Sequence, residues 1–239
     1  MHRRESRTEE TTSQKENKKE GDRIFEDRPR TNLLRKPEQK TILYLVARVP
    51  RCISPDILTL LGLTGSLMVL TGFFLASSFH RDYLLLGITG LGLNWFGDSL
   101  DGRIAYFRNK PRKWYGFALD IIVDWLSTVL IGLGYLIYAK DLNETLAFFF
   151  VVLYGWSMII SQLRFKITDK YSIDSGLVGP TELRVLIALI LAIEIFVEGS
   201  IHYFALLLCA VLFVINVADS IKLLRLGNKR DNEERNFLL

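Results

Sequence analysis

Between Asp98 and Asp124 the chain reads DSLDGRIAYFRNKPRKWYGFALDIIVD, with aspartates at 98, 101, 120 and 124. Long apolar runs flank this stretch on both sides. A carboxylate among such residues is costly, since an Asp at mid-membrane disfavours insertion by about 3 kcal/mol. The first pair is spaced i, i+3 and the second i, i+4, so on helices each pair shares one face. Any fold open to this chain must bring the carboxylates to a place where they are hydrated or balanced by positive charge.

The apolar runs set the fold class. Although 49% of the chain is hydrophobic and 23% charged, the average conceals a division between a polar segment 1–40 and a mostly apolar segment 53–224. Spans are predicted near 55–79, 82–106, 116–138, 145–166, 182–198 and 201–224. A stretch of about 20 apolar residues suffices to cross a bilayer. The expected class is an all-α integral membrane protein with six transmembrane helices and an N-terminal interfacial amphipathic helix. The short fifth span is expected to reach the sixth through a tight turn at Gly199-Ser200. Residues 1–32 mix both charge signs with almost no apolar periodicity and are expected to form a disordered, solvated tail. In residues 33–52, Ile42, Leu45, Val46 and Val49 recur at helical spacing among Arg35, Lys36, Lys40, Arg48 and Arg51. That pattern suits a juxtamembrane helix lying on an anionic leaflet, or simple membrane-flanking charge. Residues 53–226 would form the membrane domain and 227–239 a C-terminal tail. The first apolar run follows a long charged segment, so no secretory signal peptide is expected. Cys52 and Cys209 fit neither a disulfide framework nor a zinc spacing.

Loop charges predict the orientation. The 106–115 connection carries Arg108, Lys110, Arg112 and Lys113, and the 164–184 connection carries Arg164, Lys166, Lys170 and Arg184. The C-terminal segment adds Lys222, Arg225, Lys229 and Arg230. The intervening connections hold only Arg81 and Lys140. The positive-inside rule then puts both termini in the cytoplasm and the aspartates at the cytoplasmic membrane boundary.

Asp98 and Asp101 would end one helix, and Asp120 and Asp124 would begin its antiparallel neighbour, joined by a short loop. Oxygen-rich clusters of this kind suit hard cations such as Mg²⁺, Mn²⁺ or Ca²⁺. The lack of nearby histidine or cysteine argues against zinc. Two such ions close together can clamp a diphosphate. Gly102, Ala105 and Gly116 remove side-chain bulk, either for a ligand or for close helix packing. A competing account treats the aspartates as caps or as ion-pair partners of Arg103, Arg108 or Arg112. A cation transporter or channel would also use intramembrane carboxylates, but nearer mid-membrane and on broken helices.

The stretch resembles the signature of the CDP-alcohol phosphatidyltransferase family, D-x2-D-G-x2-A-R-x8/9-G-x3-D-x3-D. Asp98, Asp101, Gly102, Ala105, Gly116, Asp120 and Asp124 match it, and the resemblance extends over about residues 54–224. The family usually has Arg after the Ala, where this chain has Tyr106. A tyrosine there can donate a hydrogen bond but supplies no fixed positive charge. SPDILTLLGL (54–63) is similar to the family segment that opens the first span, which implies nucleotide or phosphate contacts for Asp56 and Thr59; the alternative for Asp56 is a helix N-cap. GLVGPTELR (176–184) resembles the segment before the fifth span, where a basic residue often helps bind the acceptor. This implies acceptor binding by Arg184, joined by Arg164 and Lys166, although the positive-inside rule alone also accounts for these cations. GDSLDG, YGFALD and GPTELR together look like a bacterial subgroup of the family, which implies the bacterial inner membrane.

The resemblance implies a phospholipid-biosynthetic enzyme. It would move a phosphatidyl or similar substituted phosphoryl group from a CDP-linked donor, such as CDP-diacylglycerol, to an alcohol acceptor and release CMP. Two divalent ions, Mg²⁺ or Mn²⁺, would be held by Asp98, Asp101, Asp120 and Asp124. Asp124 would also serve as the base for the acceptor hydroxyl, and Gly102, Ala105, Tyr106 and Gly116 would line the CDP site with Asp56 and Thr59. A homodimer in the bilayer is implied, and no nucleic-acid partner. A non-catalytic membrane scaffold descended from the family is the remaining alternative, prompted by Tyr106.

Overall fold

The computed structural model describes residues 34–139, 143–168 and 179–237. Among them the chain is helical, without strands: α1 (Arg35–Val46), α2 (Pro55–Ser78), α3 (Leu84–Phe107), α4 (Lys113–Tyr138), α5 (Glu144–Thr168), α6 (Pro180–Phe196) and α7 (Ser200–Phe237). The charged segment 1–32 lies outside the described residues. Helices α2, α4, α5 and α7 are each long and apolar enough to cross a membrane. The protein is therefore a membrane protein, and its exposed Leu, Ile, Val and Phe side chains along these helices form a surface suited to hydrocarbon. In such a setting backbone polar groups must be satisfied internally, which a helix does. The other two predicted spans correspond to α3 and α6. Their weaker apolar signal has local causes: α3 spends its last turns on Asp98, Asp101 and Arg103, and α6 has only 17 residues.

Helices α2 and α3 are the most closely paired, and glycines make this possible. A Cβ added at Gly65 would strike the backbone of Asn94 and Gly90, and one at Gly97 would strike Gly62 and Leu58. Small residues at a membrane helix interface let backbones approach and gain packing where the hydrophobic effect contributes nothing. Asn94, 2% exposed, crosses this seam. Its amide nitrogen donates to Gly62 O, Ser66 Oγ and Ser127 Oγ, tying α2, α3 and α4 together. Gly97→Val should destabilise the protein by about 3 kcal/mol through overpacking. Gly92→Ala, at a site where a Cβ meets nothing within 4 Å, should leave melting in detergent unchanged. Thermal melts of both variants check this.

A second seam joins α5 to α7. Asn216 donates to Leu153 O at 2.7 Å and accepts from Ser157 Oγ at 2.6 Å. At the end of the bundle remote from the aspartates, α6 reaches α7 through the turn expected at Gly199-Ser200, with Gly199 at φ 82°. Glu194, 1% exposed, organises this turn. It accepts from Gly199 N, Ser200 Oγ, Ile201 N and Tyr138 Oη. Beside it lies the main apolar cluster, built around Val69, Phe73, Leu84, Leu91, Ile187 and Leu191.

The structure adds detail at both ends of the bundle. Ile42 and Val46 of α1 are buried against Leu58, Leu100 and Ile104, with Leu45 and Val49 packed beside them. The apolar face of α1 thus rests on the bundle, while Lys36, Lys40, Arg48 and Arg51 are exposed. At the other end, residues 227–237 continue α7. The i, i+4 pairs Lys229–Glu233 and Arg230–Glu234 support this extension. Arg230 also donates to the carbonyls of Lys166 and Ile167, which end α5.

Candidate metal site

Helix α3 ends at Phe107, and the chain reverses through Asn109, whose φ of 53° is the left-handed conformation that asparagine tolerates after a helix. Asn109 N donates to Tyr106 O, and Lys110 N to Ala105 O. Two arginines fix this loop against the start of α2. Arg108 donates to the carbonyls of Ile53 and Pro50, and Arg112 grips both carboxylate oxygens of Asp56. The end of α3, the start of α4 and the start of α2 are thereby brought to one level of the bundle.

At that level Asp98, Asp120 and Asp124 offer carboxylate oxygens that all lie within 4.8 Å of one another. Asp101, one turn beyond Asp98, is outside this group of three. Its Oδ2 accepts from Thr59 Oγ1 at 2.6 Å, and its Oδ1 faces Gly102 N. Thr59 therefore touches a motif aspartate directly. Asp56 is held by Arg112, and the N-cap of α2 is Ser54, which accepts from Ile57 N, rather than Asp56. A Cβ at Gly102 or Gly116 would meet nothing within 4 Å. Close helix packing does not explain these two glycines, which border open space. Ala105, by contrast, is buried, and Tyr106 is half-buried.

The cation beside the aspartates comes from farther along the chain than the loop arginines. Arg184, in the first turns of α6, places Nη1 2.7 Å from Asp98 Oδ2 and Nη2 3.4 Å from Asp124 Oδ1. Arg108 and Arg112 are engaged elsewhere as described, and Arg103 is buried within the bundle, 6% exposed. Of the other expected acceptor residues, Arg164 pairs with Asp219 of α7 at 3.3 Å, beside Lys222. Lys166 contributes its carbonyl to Arg230. The structure thus separates Arg184 from Arg164 by partner.

The turn that carries Arg184 has a further role that the sequence did not suggest. Thr181 Oγ1 donates to Glu38 Oε1 of α1 at 2.8 Å. Glu182 accepts from Leu34 N at 2.8 Å and from Gly179 N at 3.0 Å. Only the Glu at the third helical position, a common N-terminal capping residue, hinted at part of this arrangement.

The donor set fits a hard divalent cation. It consists of carboxylate oxygens from two facing helices, spaced closely enough to converge on one ion, with no sulfur or imidazole among them. No curated protein matches the chain. The sequence model of the CDP-alcohol phosphatidyltransferase family matches residues 52–216, more than half of the chain, and this segment contains every motif aspartate. By that match, and with the motif carboxylates gathered at one end of a helical membrane bundle, the chain belongs to the CDP-alcohol phosphatidyltransferase family, a family of transferases.

Proposed function

We propose that this protein transfers a phosphatidyl, or similarly substituted phosphoryl, group from a CDP-linked donor such as CDP-diacylglycerol to an alcohol, releasing CMP. The observation that carries this reading is the convergence of Asp98, Asp120 and Asp124 within 4.8 Å, at helix ends supplied by the family motif. In the reaction a P–O bond forms to the acceptor oxygen. The donor's P–O bond to the CMP phosphate breaks, and CMP leaves with the electron pair. A divalent ion at the carboxylates supplies neutralisation of the diphosphate charge and Lewis-acid polarisation.

The chain's own residues then divide the remaining work, which is mostly positioning and electrostatics. Asp98, Asp101 and Asp120 hold the ions, and Thr59 fixes the rotamer of Asp101 through its hydroxyl. Asp124 takes the proton of the acceptor hydroxyl. The open space beside Gly102 and Gly116 admits the donor's nucleotide part, with Tyr106 as a hydrogen-bonding neighbour. Acceptor recognition rests on Arg184, whose guanidinium stands among the motif aspartates, whereas Arg164 pairs with Asp219 of α7, away from them. The bundle is a multi-pass protein of the bacterial inner membrane with both termini and the aspartates on the cytoplasmic side, and it works as a homodimer.

The test is CMP release by the purified full-length protein from CDP-diacylglycerol and Mg²⁺ with a panel of alcohols, the lipid product being identified by mass spectrometry. Release that requires metal, donor and one alcohol supports the reading. No release with any combination supports a scaffold instead. Tyr106→Arg restores the charge usual at this motif position and should lower the donor KM about tenfold, the scale of one charge-assisted hydrogen bond. Unchanged kcat and KM would remove Tyr106 from the phosphate site.

A further inference from the structure

Arg184 makes its two ion pairs with oxygens of Asp98 and Asp124, both members of the group of three carboxylates. Every carboxylate lone pair that accepts from a guanidinium is withdrawn from a metal ion. Two cations held a few ångströms apart in a partly buried site also repel strongly. We infer that Arg184 and a divalent ion compete for Asp98 and Asp124, so that loading the site with metal turns Arg184 out of it. This rests on the metal-binding reading of the aspartates given above. Charge balance favours the exchange: four aspartates are neutralised by two divalent ions with no need of the arginine, whose charge is then available to an anionic ligand.

The exchange has a mechanical route out of the site. Thr181 and Glu182 lie within one turn of Arg184 and hold α1 through Glu38 and Leu34 N. Glu38 is 5% exposed, so this attachment is part of the packed structure. Movement of the first turn of α6 therefore acts on α1, and metal occupancy is transmitted to the juxtamembrane helix.

The competition is tested by titrating full-length protein in detergent with Mn²⁺ and reading free ion by electron paramagnetic resonance. Arg184→Gln should bind Mn²⁺ about tenfold more tightly than the wild type. Equal or weaker binding by the variant, with the wild type still binding, overturns the competition and leaves the metal site standing. If neither protein binds Mn²⁺, both the competition and the metal reading fall. The variant removes a cation from a cluster of carboxylates and can fail to fold, so the wild type provides an independent check. Hydrogen exchange followed by mass spectrometry on adding Mg²⁺ should speed up over residues 34–46 and 179–187 and slow down around 98–102 and 120–124. Slowing in all of these segments overturns the inference.

Discussion

Asp124→Asn is expected to lower CMP release about a thousandfold, the usual contribution of a positioned general base, while the chain still folds and inserts. The substitution keeps the shape of the side chain and an oxygen that can accept from Arg184, which lies 3.4 Å from Asp124. It removes only the capacity to take a proton at neutral pH and one unit of negative charge. Because Asp124 also belongs to the group of three carboxylates, Mn²⁺ affinity measured on the same variant separates its two roles. Lost turnover with Mn²⁺ binding within a few-fold of wild type identifies a base. Loss of both identifies chiefly a metal ligand. Full activity in Asp124→Asn excludes it as the base. Asp120→Asn makes the contrast, since it should weaken Mn²⁺ binding and turnover together.

Glu194→Ala is expected to cause the largest loss of stability, about 3–5 kcal/mol, the range for removing one member of a buried charged hydrogen-bond network. Two backbone donors, Gly199 N and Ile201 N, and two hydroxyls, of Ser200 and Tyr138, lose their acceptor at once. Ile201 N is one of the first donors of α7, which lack intrahelical partners, and Gly199 N belongs to the turn just before it. Thermal unfolding in detergent reads the effect, with Tyr138→Phe expected to cost about 1 kcal/mol as a single hydrogen bond. A Glu194→Ala melt like that of wild type would show that water enters this end of the bundle and replaces the carboxylate.

The spans and the aspartate site were legible because each leaves a local trace. Apolar runs of membrane-crossing length predict helices close to those observed for α2 through α6, and the spacing of Asp98, Asp101, Asp120 and Asp124 predicts their shared faces. The reversal at Asn109 then made the two faces meet. What was hidden depends on contacts between distant segments. Ile42 and Val46 have the same helical spacing whether α1 lies on lipid or on Leu58 and Leu100, so the pattern could not decide which surface they meet. The pairing of Arg184 with Asp98 crosses 86 positions and has no sequence signature; a cation before a span reads equally as membrane-flanking charge. The hydrogen bond from Thr59 to Asp101 was hidden in the same way, since it is set by the close approach of α2 and α3 at their glycines. The helical end of α7 was not legible because its residues are polar on every side. Such a stretch resembles a solvated tail until its i, i+4 ion pairs and the anchorage of Arg230 on α5 are seen.

The network around Glu194 gives α6 a pivot. That helix is 17 residues long, about 25 Å at the usual rise per residue. Its far end is fixed by neutral and charged hydrogen bonds to a turn that contains the start of the next helix. Its near end is held by ion pairs and side-chain hydrogen bonds that can be exchanged one for another. A tilt of only about 5° about the fixed end would carry Arg184 by about 2 Å, enough to break one hydrogen bond and form another. The shortest helix of the membrane bundle thus has the form of a lever, with its fulcrum at the Glu194 turn and its working end among the aspartates.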